Sequence, residues 1–159
     1  LLNELTGAHA KVGSYAFTTL NPNLGVLYGF VLADIPGLIE GASEGKGLGH
    51  QFLRHITRTK MILHCISLEH EDLVKTYKTV RGELEAYDAE LAEKPERIIL
   101  TKTDLIDAKE FAKRKKEFAK ATKIPEKSIL SVSILDDDSL KTLAEALTES
   151  LKTKPLKTK

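Results

Sequence analysis

The chain has a single cysteine, Cys65, in 159 residues, so no internal disulfide can brace it. Cys65 sits in the apolar run Met61-Ile62-Leu63-His64-Cys65-Ile66, where it is expected to be a small buried hydrophobe compatible with a reducing compartment. No charge predominates: 24 Lys plus Arg face 23 Asp plus Glu, and the net charge of +1 gives no global pull toward nucleic acid or membrane. No apolar stretch approaches the roughly 20 residues of a membrane span. The first residues lack a signal-peptide pattern. A soluble cytoplasmic protein without a membrane partner is expected. There is no internal repeat, which excludes a solenoid, and no long low-complexity segment. Only the basic tail, residues 152–159, reads as disordered or as a linker, more simply a solvated terminus than an RNA contact.

What is present suits one domain with a real core, since 42% of residues are apolar and 30% charged. Apolar runs with β-branched character predict strands over residues 24–28, 29–34, 60–67, 97–101 and 128–133. Amphipathic spacing predicts helices over 48–59, 71–87, 107–122 and 138–151, with Asp107 and Asp138 as caps. The run Lys113-Arg114-Lys115-Lys116 falls on one of these helices and reads as a solvated face. Alternating strands and helices predict an α/β fold, a mostly parallel sheet with helices on both faces. Ligands in such folds sit at the carboxyl ends of the strands.

Three polar signatures follow three of these strands. Asp34-Ile35-Pro36-Gly37 offers a carboxylate for water-held magnesium and a glycine whose N–H can approach a terminal phosphate. Standing alone it would more simply be a turn. Thr18 and Thr19 offer hydroxyls suited to magnesium and outrank ordinary loop threonines only because the Asp34 motif follows at a suitable distance. Thr101-Lys102-Thr103-Asp104 resembles the Asn-Lys-x-Asp motif that reads guanine. Asp104 can accept from the ring N–H and the exocyclic amine, and adenine has neither donor on that edge. Lys102 can lay its aliphatic stem along the base. Thr101 stands where asparagine is usual, so guanine selectivity should survive with somewhat lower affinity. The third signature is Ser133-Ile134-Leu135. Five glycines between Gly37 and Gly49 make a pliable loop that one phosphate group can bias.

Residues 15–25 (YAFTTLNPNLG), 33–56 (ADIPGLIEGASEGKGLGHQFLRHI) and 83–95 (ELEAYDAELAEKP) resemble the Obg family of translation-factor-related GTPases. The resemblance runs from about Leu1 to Leu151, read as the GTP-binding domain (1–151) ahead of the tail. It implies a three-layer sandwich like that of P-loop NTPases. It implies GTP hydrolysed to GDP with Mg2+, a monomer, and a partner in large ribosomal subunit assembly. Phe17, Thr18, Thr19, Leu20 and Asn21 would join Asp34, Ile35, Pro36 and Gly37 around the phosphates, with magnesium held by Thr19 and, through water, by Asp34. Thr101, Lys102, Thr103, Asp104, Ser133, Ile134 and Leu135 would surround the base. Leu38 stands where many GTPases carry a water-orienting glutamine, so hydrolysis should be slow, and no side chain is assigned as general base.

The 159 residues contain no phosphate loop, G-x-x-x-x-G-K-[ST]. Residues 1–6 resemble the helix that follows it, so the expectation is a truncated domain lacking its first strand and phosphate loop, and the family's glycine-rich N-terminal domain. A domain that has lost catalysis and serves only as a ribosomal or protein partner is the alternative. Retention of Thr19, Asp34 and Asp104 argues against it. A phosphoacceptor receiver is disfavoured because clustered acids at early strand ends are missing. Tyr28-Gly29 joins two strands directly, and residues are expected to be missing there unless the turn is very tight.

Overall fold

A computed structural model describes residues 1–6, 11–12, 23–34, 59–87 and 89–152. In chain order the elements are α1 (Leu2–Thr6), β1 (Lys11–Val12), β2 (Asn23–Leu27), β3 (Phe30–Asp34), β4 (Ile62–Ser67) and α2 (Leu73–Tyr87). They continue with α3 (Ala89–Ala92), β5 (Glu96–Thr101), α4 (Ala108–Thr122), β6 (Ile129–Val132) and α5 (Asp137–Lys152). The helix expected over 48–59 lies outside the described residues but for Thr59, as does most of the tail.

Side-chain caps set where the long helices start. Asp72 Oδ1 accepts from Lys75 N at 2.8 Å and opens α2. Asp107 Oδ1 accepts from Glu110 N at 2.9 Å and opens α4, as expected. For α5 the cap is Asp136, not Asp138: Asp136 Oδ1 accepts from Asp138 N at 3.1 Å and Ser139 N at 3.3 Å. Asp138 falls inside the first turn instead, where a carboxylate still favours the positive end of the helix dipole.

The strands form two sheets rather than one. β4, β5 and β6 are parallel, with β5 in the centre. β1, β2 and β3 are antiparallel, and β3 and β4 do not pair. Strand alternation divides the core between the faces of the parallel sheet. Ile66, Ile98, Leu100 and Ile129 pack with Leu73 of α2 and Phe118 of α4. Ile99 and Val132 pack with Leu143, Ala144 and Leu147 of α5, and with Leu1 and Leu5 at α1. Helices therefore cover both faces, as the alternation of elements predicts.

The junction of β2 and β3 corrects one expectation. Leu27 pairs directly with Phe30 across Tyr28-Gly29, so the hairpin closes without further residues. Tyr28 has φ 46° and Gly29 φ 86°. Positive φ at both central positions is the type I′ turn, whose twist matches that of the strands it joins, so two residues suffice.

A buried polar cluster lies toward the amino end of the parallel sheet. Glu96 Oε1 is 2.8 Å from His64 Nδ1, while Oε2 accepts from Tyr77 Oη at 3.3 Å and lies 3.6 Å from Arg81. His64 stacks on Tyr77 with ring centroids 5.3 Å apart, which ties α2 to β4. Burial, then the charge of Glu96, pushes the Tyr77 hydroxyl up to about 12, so it stays a neutral donor.

Gly25 of β2 lies under α1: a Cβ there would fall 2.4 Å from Thr6 Cγ2 and 2.9 Å from Thr6 Cβ. Gly25→Ala should therefore lower stability by about 1–3 kcal/mol through overpacking, read as a lower thermal midpoint. Thr6→Ala in the same chain should recover part of the loss, and an unchanged midpoint for Gly25→Ala would contradict this packing.

Candidate functional site

The carboxyl ends of β4, β5 and β6 lie side by side because the parallel register pairs Thr101 with both Ser67 and Val132. Leaving β5, Lys102 takes the left-handed conformation (φ 61°, ψ 46°), and a 3-10 turn over Thr103–Leu105 follows. A non-glycine residue in that conformation costs on the order of 1 kcal/mol and is characteristic of functional loops. The reversal puts Asp104 opposite the end of β6.

There Ser133 Oγ donates to Asp104 Oδ1 at 2.5 Å. Ser133 is 2% exposed. Its N–H donates to Ser139 Oγ at 3.1 Å, and its hydroxyl accepts from Leu135 N at 3.1 Å. The serine is thus held from three sides and aims one carboxylate oxygen of Asp104. Asp104 itself is exposed, and Oδ2 has no hydrogen-bond partner among the described residues. Ile134 and Leu135 are 51% and 79% exposed beside it, apolar surface suited to a flat ligand. Thr101 Oγ1 lies 3.5 Å from the Ile66 carbonyl, so the hydroxyl that stands where asparagine is usual ties β5 to β4.

Lys102 Nζ pairs with Glu69 Oε2 in the loop after β4. Ser67 Oγ donates to the same Glu69 oxygen at 3.1 Å. Lys102, followed by Ser67, holds the Glu69 carboxyl below its usual range. Arg114 of α4 reaches back to this loop, donating to the carbonyls of Leu68 at 2.9 Å and Glu71 at 3.3 Å, and to that of His70. The basic run on α4 is therefore not uniformly a solvated face: Arg114 is a loop clamp. Glu69 and Arg114 carried no sequence signal beyond their charge. A serine two residues before Glu69 at the strand end was the only available hint.

Asp34 is exposed at the carboxyl end of β3. A cleft of about 1380 Å³ runs between β3 and β4, and Asp34, Thr101, Lys102 and Ile134 all line it. Cys65 lines it too, which corrects the expectation of a buried thiol: without strand pairing between β3 and β4, that face of β4 opens to the cleft. Crowding by the surrounding chain still pushes the thiol up to about 11. An exposed carboxylate such as Asp34 is a hard oxygen donor of the kind magnesium accepts through water. No group of three or more His, Cys, Asp or Glu that could hold a metal occurs among the described residues. Thr18, Thr19, Phe17, Leu20, Asn21, Ile35, Pro36 and Gly37 lie outside the described residues. No helix among the described residues is long and apolar enough to cross a membrane.

A parallel sheet covered by helices on both faces, with polar segments at its carboxyl ends, places the domain in the α/β class whose ligands sit at those ends. Residues 1–102 match the family model described as 50S ribosome-binding GTPase. GTPase Obg of Pelagibacter ubique is 47% identical over 144 residues, covering 88% of this chain and 43% of that protein. The chain belongs to the Obg-family GTPases. It spans less than half the length of that relative.

Asp104 depends on Ser133 for its aim. In the full-length protein, Ser133→Ala should weaken GDP binding about three- to tenfold in calorimetry, the net worth of about one ordinary hydrogen bond, because the serine acts on the ligand only through Asp104. Binding equal to that of the unaltered protein would mean that the Asp104–Ser133 contact does not serve the ligand.

Proposed function

We propose that the whole protein is a GTP-binding switch that hydrolyses GTP to GDP and phosphate slowly and acts on the large ribosomal particle from the cytoplasm. The observation that carries the nucleotide reading is the carboxylate of Asp104, held at Oδ1 by Ser133 and open at Oδ2, beside exposed Ile134 and Leu135. Guanine presents two N–H donors on the edge such a carboxylate meets. Adenine would leave the carboxylate desolvated and unpaired, which costs about 1–3 kcal/mol. Family membership supports hydrolysis, and the description of the matching family supports a ribosomal partner.

In this reading Asp34, through water, and Thr19 would hold a magnesium ion, which would supply positive charge beside the phosphates. The backbone N–H of Gly37, with Ile35, Pro36 and the segment from Phe17 to Asn21, would contact and position the phosphates. Leu38 cannot hydrogen-bond a water, so turnover is slow without a group from a partner. The cleft between β3 and β4, lined by edge strands of two sheets, is where a further strand of the whole protein would complete one continuous sheet.

Asp104→Asn should shift preference from guanine toward xanthine nucleotides, because an amide can donate where xanthine has its extra carbonyl. In a competition assay on the full-length protein, discrimination between GDP and XDP should fall by at least tenfold. Unchanged discrimination would remove Asp104 as the base reader. If calorimetry with GTP and magnesium gave no binding at all, the chain would instead be a non-catalytic partner module.

A further inference from the structure

We propose that Glu69 is a positioning residue for Lys102, making the loop after β4 a third wall of the base site. This rests on the reading of Thr101-Lys102-Thr103-Asp104 as the segment that contacts the base. Lys102 leaves β5 in a left-handed conformation, which fixes the direction of its Cβ and hence of its stem. The remaining freedom is in the long side chain, whose immobilisation costs up to about 2 kcal/mol of rotamer entropy. A ligand that had to order the stem would bear that cost on binding. Glu69 removes part of it beforehand by taking the ammonium at Oε2.

Glu69 is itself held. Ser67 Oγ donates to its Oε2 at 3.1 Å, and Glu69 N lies 3.3 Å from the same hydroxyl, closing a small turn directly after the strand. Leu68 N donates to the Thr101 carbonyl at 3.0 Å, which continues the β4–β5 ladder into the loop. Arg114 then takes the carbonyls of Leu68, His70 and Glu71 from the far side. One arginine bound to three carbonyls on either side of Glu69 fixes the loop backbone, so the carboxylate is presented to Lys102 from a rigid support. The remaining charged groups of the loop and its neighbours, His70, Glu71, Asp72 and Lys75, make no ion pair with Lys102 among the described residues.

The test is a double-mutant cycle on the full-length protein, with GDP and GTP affinities read by calorimetry. Glu69→Gln keeps the shape and removes the charge. It should weaken both nucleotides equally, by about threefold, as expected for an exposed ion pair, with the thermal midpoint unchanged. In a Lys102→Met background, Glu69→Gln should have no further effect, because the group it positions is gone. Wild-type affinity for Glu69→Gln, or the same threefold loss persisting with Lys102→Met, would overturn the proposal. Asp104→Asn run in parallel separates the two readings: if it alters base preference while Glu69→Gln changes nothing, the base site stands and the positioning role falls. If Asp104→Asn leaves base preference intact, both fall.

Discussion

The site depends on the two-sided parallel pairing of β5. Ile98, Ile99 and Leu100 are buried on both faces of the sheet, at 2%, 0% and 0% exposure, so this strand has no freedom to slide or tilt. A slip of one residue would turn Ile98 and Leu100 from the α2/α4 side onto the α5 side and break both clusters. With the register locked, Thr101 must end level with Ser67 and Val132. The chain then leaves three adjacent strands at one height, and the segments following Ser67, Thr101 and Val132 are forced into each other's reach. Glu69 meets Lys102, and Asp104 meets Ser133, because the core above them admits one register.

The two ends of the sheet treat their carboxylates differently. Glu96 opens β5 with a 12% exposed side chain and partners on both oxygens, namely His64, Tyr77 and Arg81. Such a carboxylate is saturated and structural. Asp104, eight positions along the chain, is exposed and has one oxygen fixed by a buried serine. A fixed but half-satisfied carboxylate is preorganised for an external donor, because its rotamer is already chosen and its desolvation is only partial. The strained backbone at Lys102 lies at the same end.

Much of this was legible in the sequence because it follows from periodicity and strand-end chemistry. The strands other than the two-residue β1, the three long helices within the described residues and the cap at Asp107 read directly from apolar spacing and capping residues. So did the grouping of polar signatures at carboxyl ends. Other features depended on tertiary placement. Asp136 and Asp138 stand on either side of the first residue of α5, and only the backbone decides which of them caps. Tyr28-Gly29 looked too short for a hairpin because it joins two strands directly, and only the backbone, with positive φ at both positions, shows the tight turn that suffices. Cys65 looked buried because its neighbours are apolar. Its exposure follows from the absence of pairing between β3 and β4, a relation across about 30 residues that local pattern cannot encode. Arg114 was hidden in a lysine-rich run, where charge alone gives no hint that one of four cations faces inward.

The cleft between the two sheets adds a constraint on how a ligand and the fold are coupled. β3 and β4 are edge strands that share a cavity and carry Asp34 and the Ser67–Glu69 turn at their carboxyl ends. The hairpin that aims Asp34 is fastened by the two-residue turn and by Leu27, which is 4% exposed and shares a cluster with Ile99 and Leu143. Asp34 therefore answers to the same core as Asp104, although no strand pairing links the two sheets. Anything occupying the cleft would stiffen both edges at once and so bear on the relative placement of Asp34 and Lys102. Asp34 and Lys102 thus share one cleft and one supporting core around β5, without a direct contact between them.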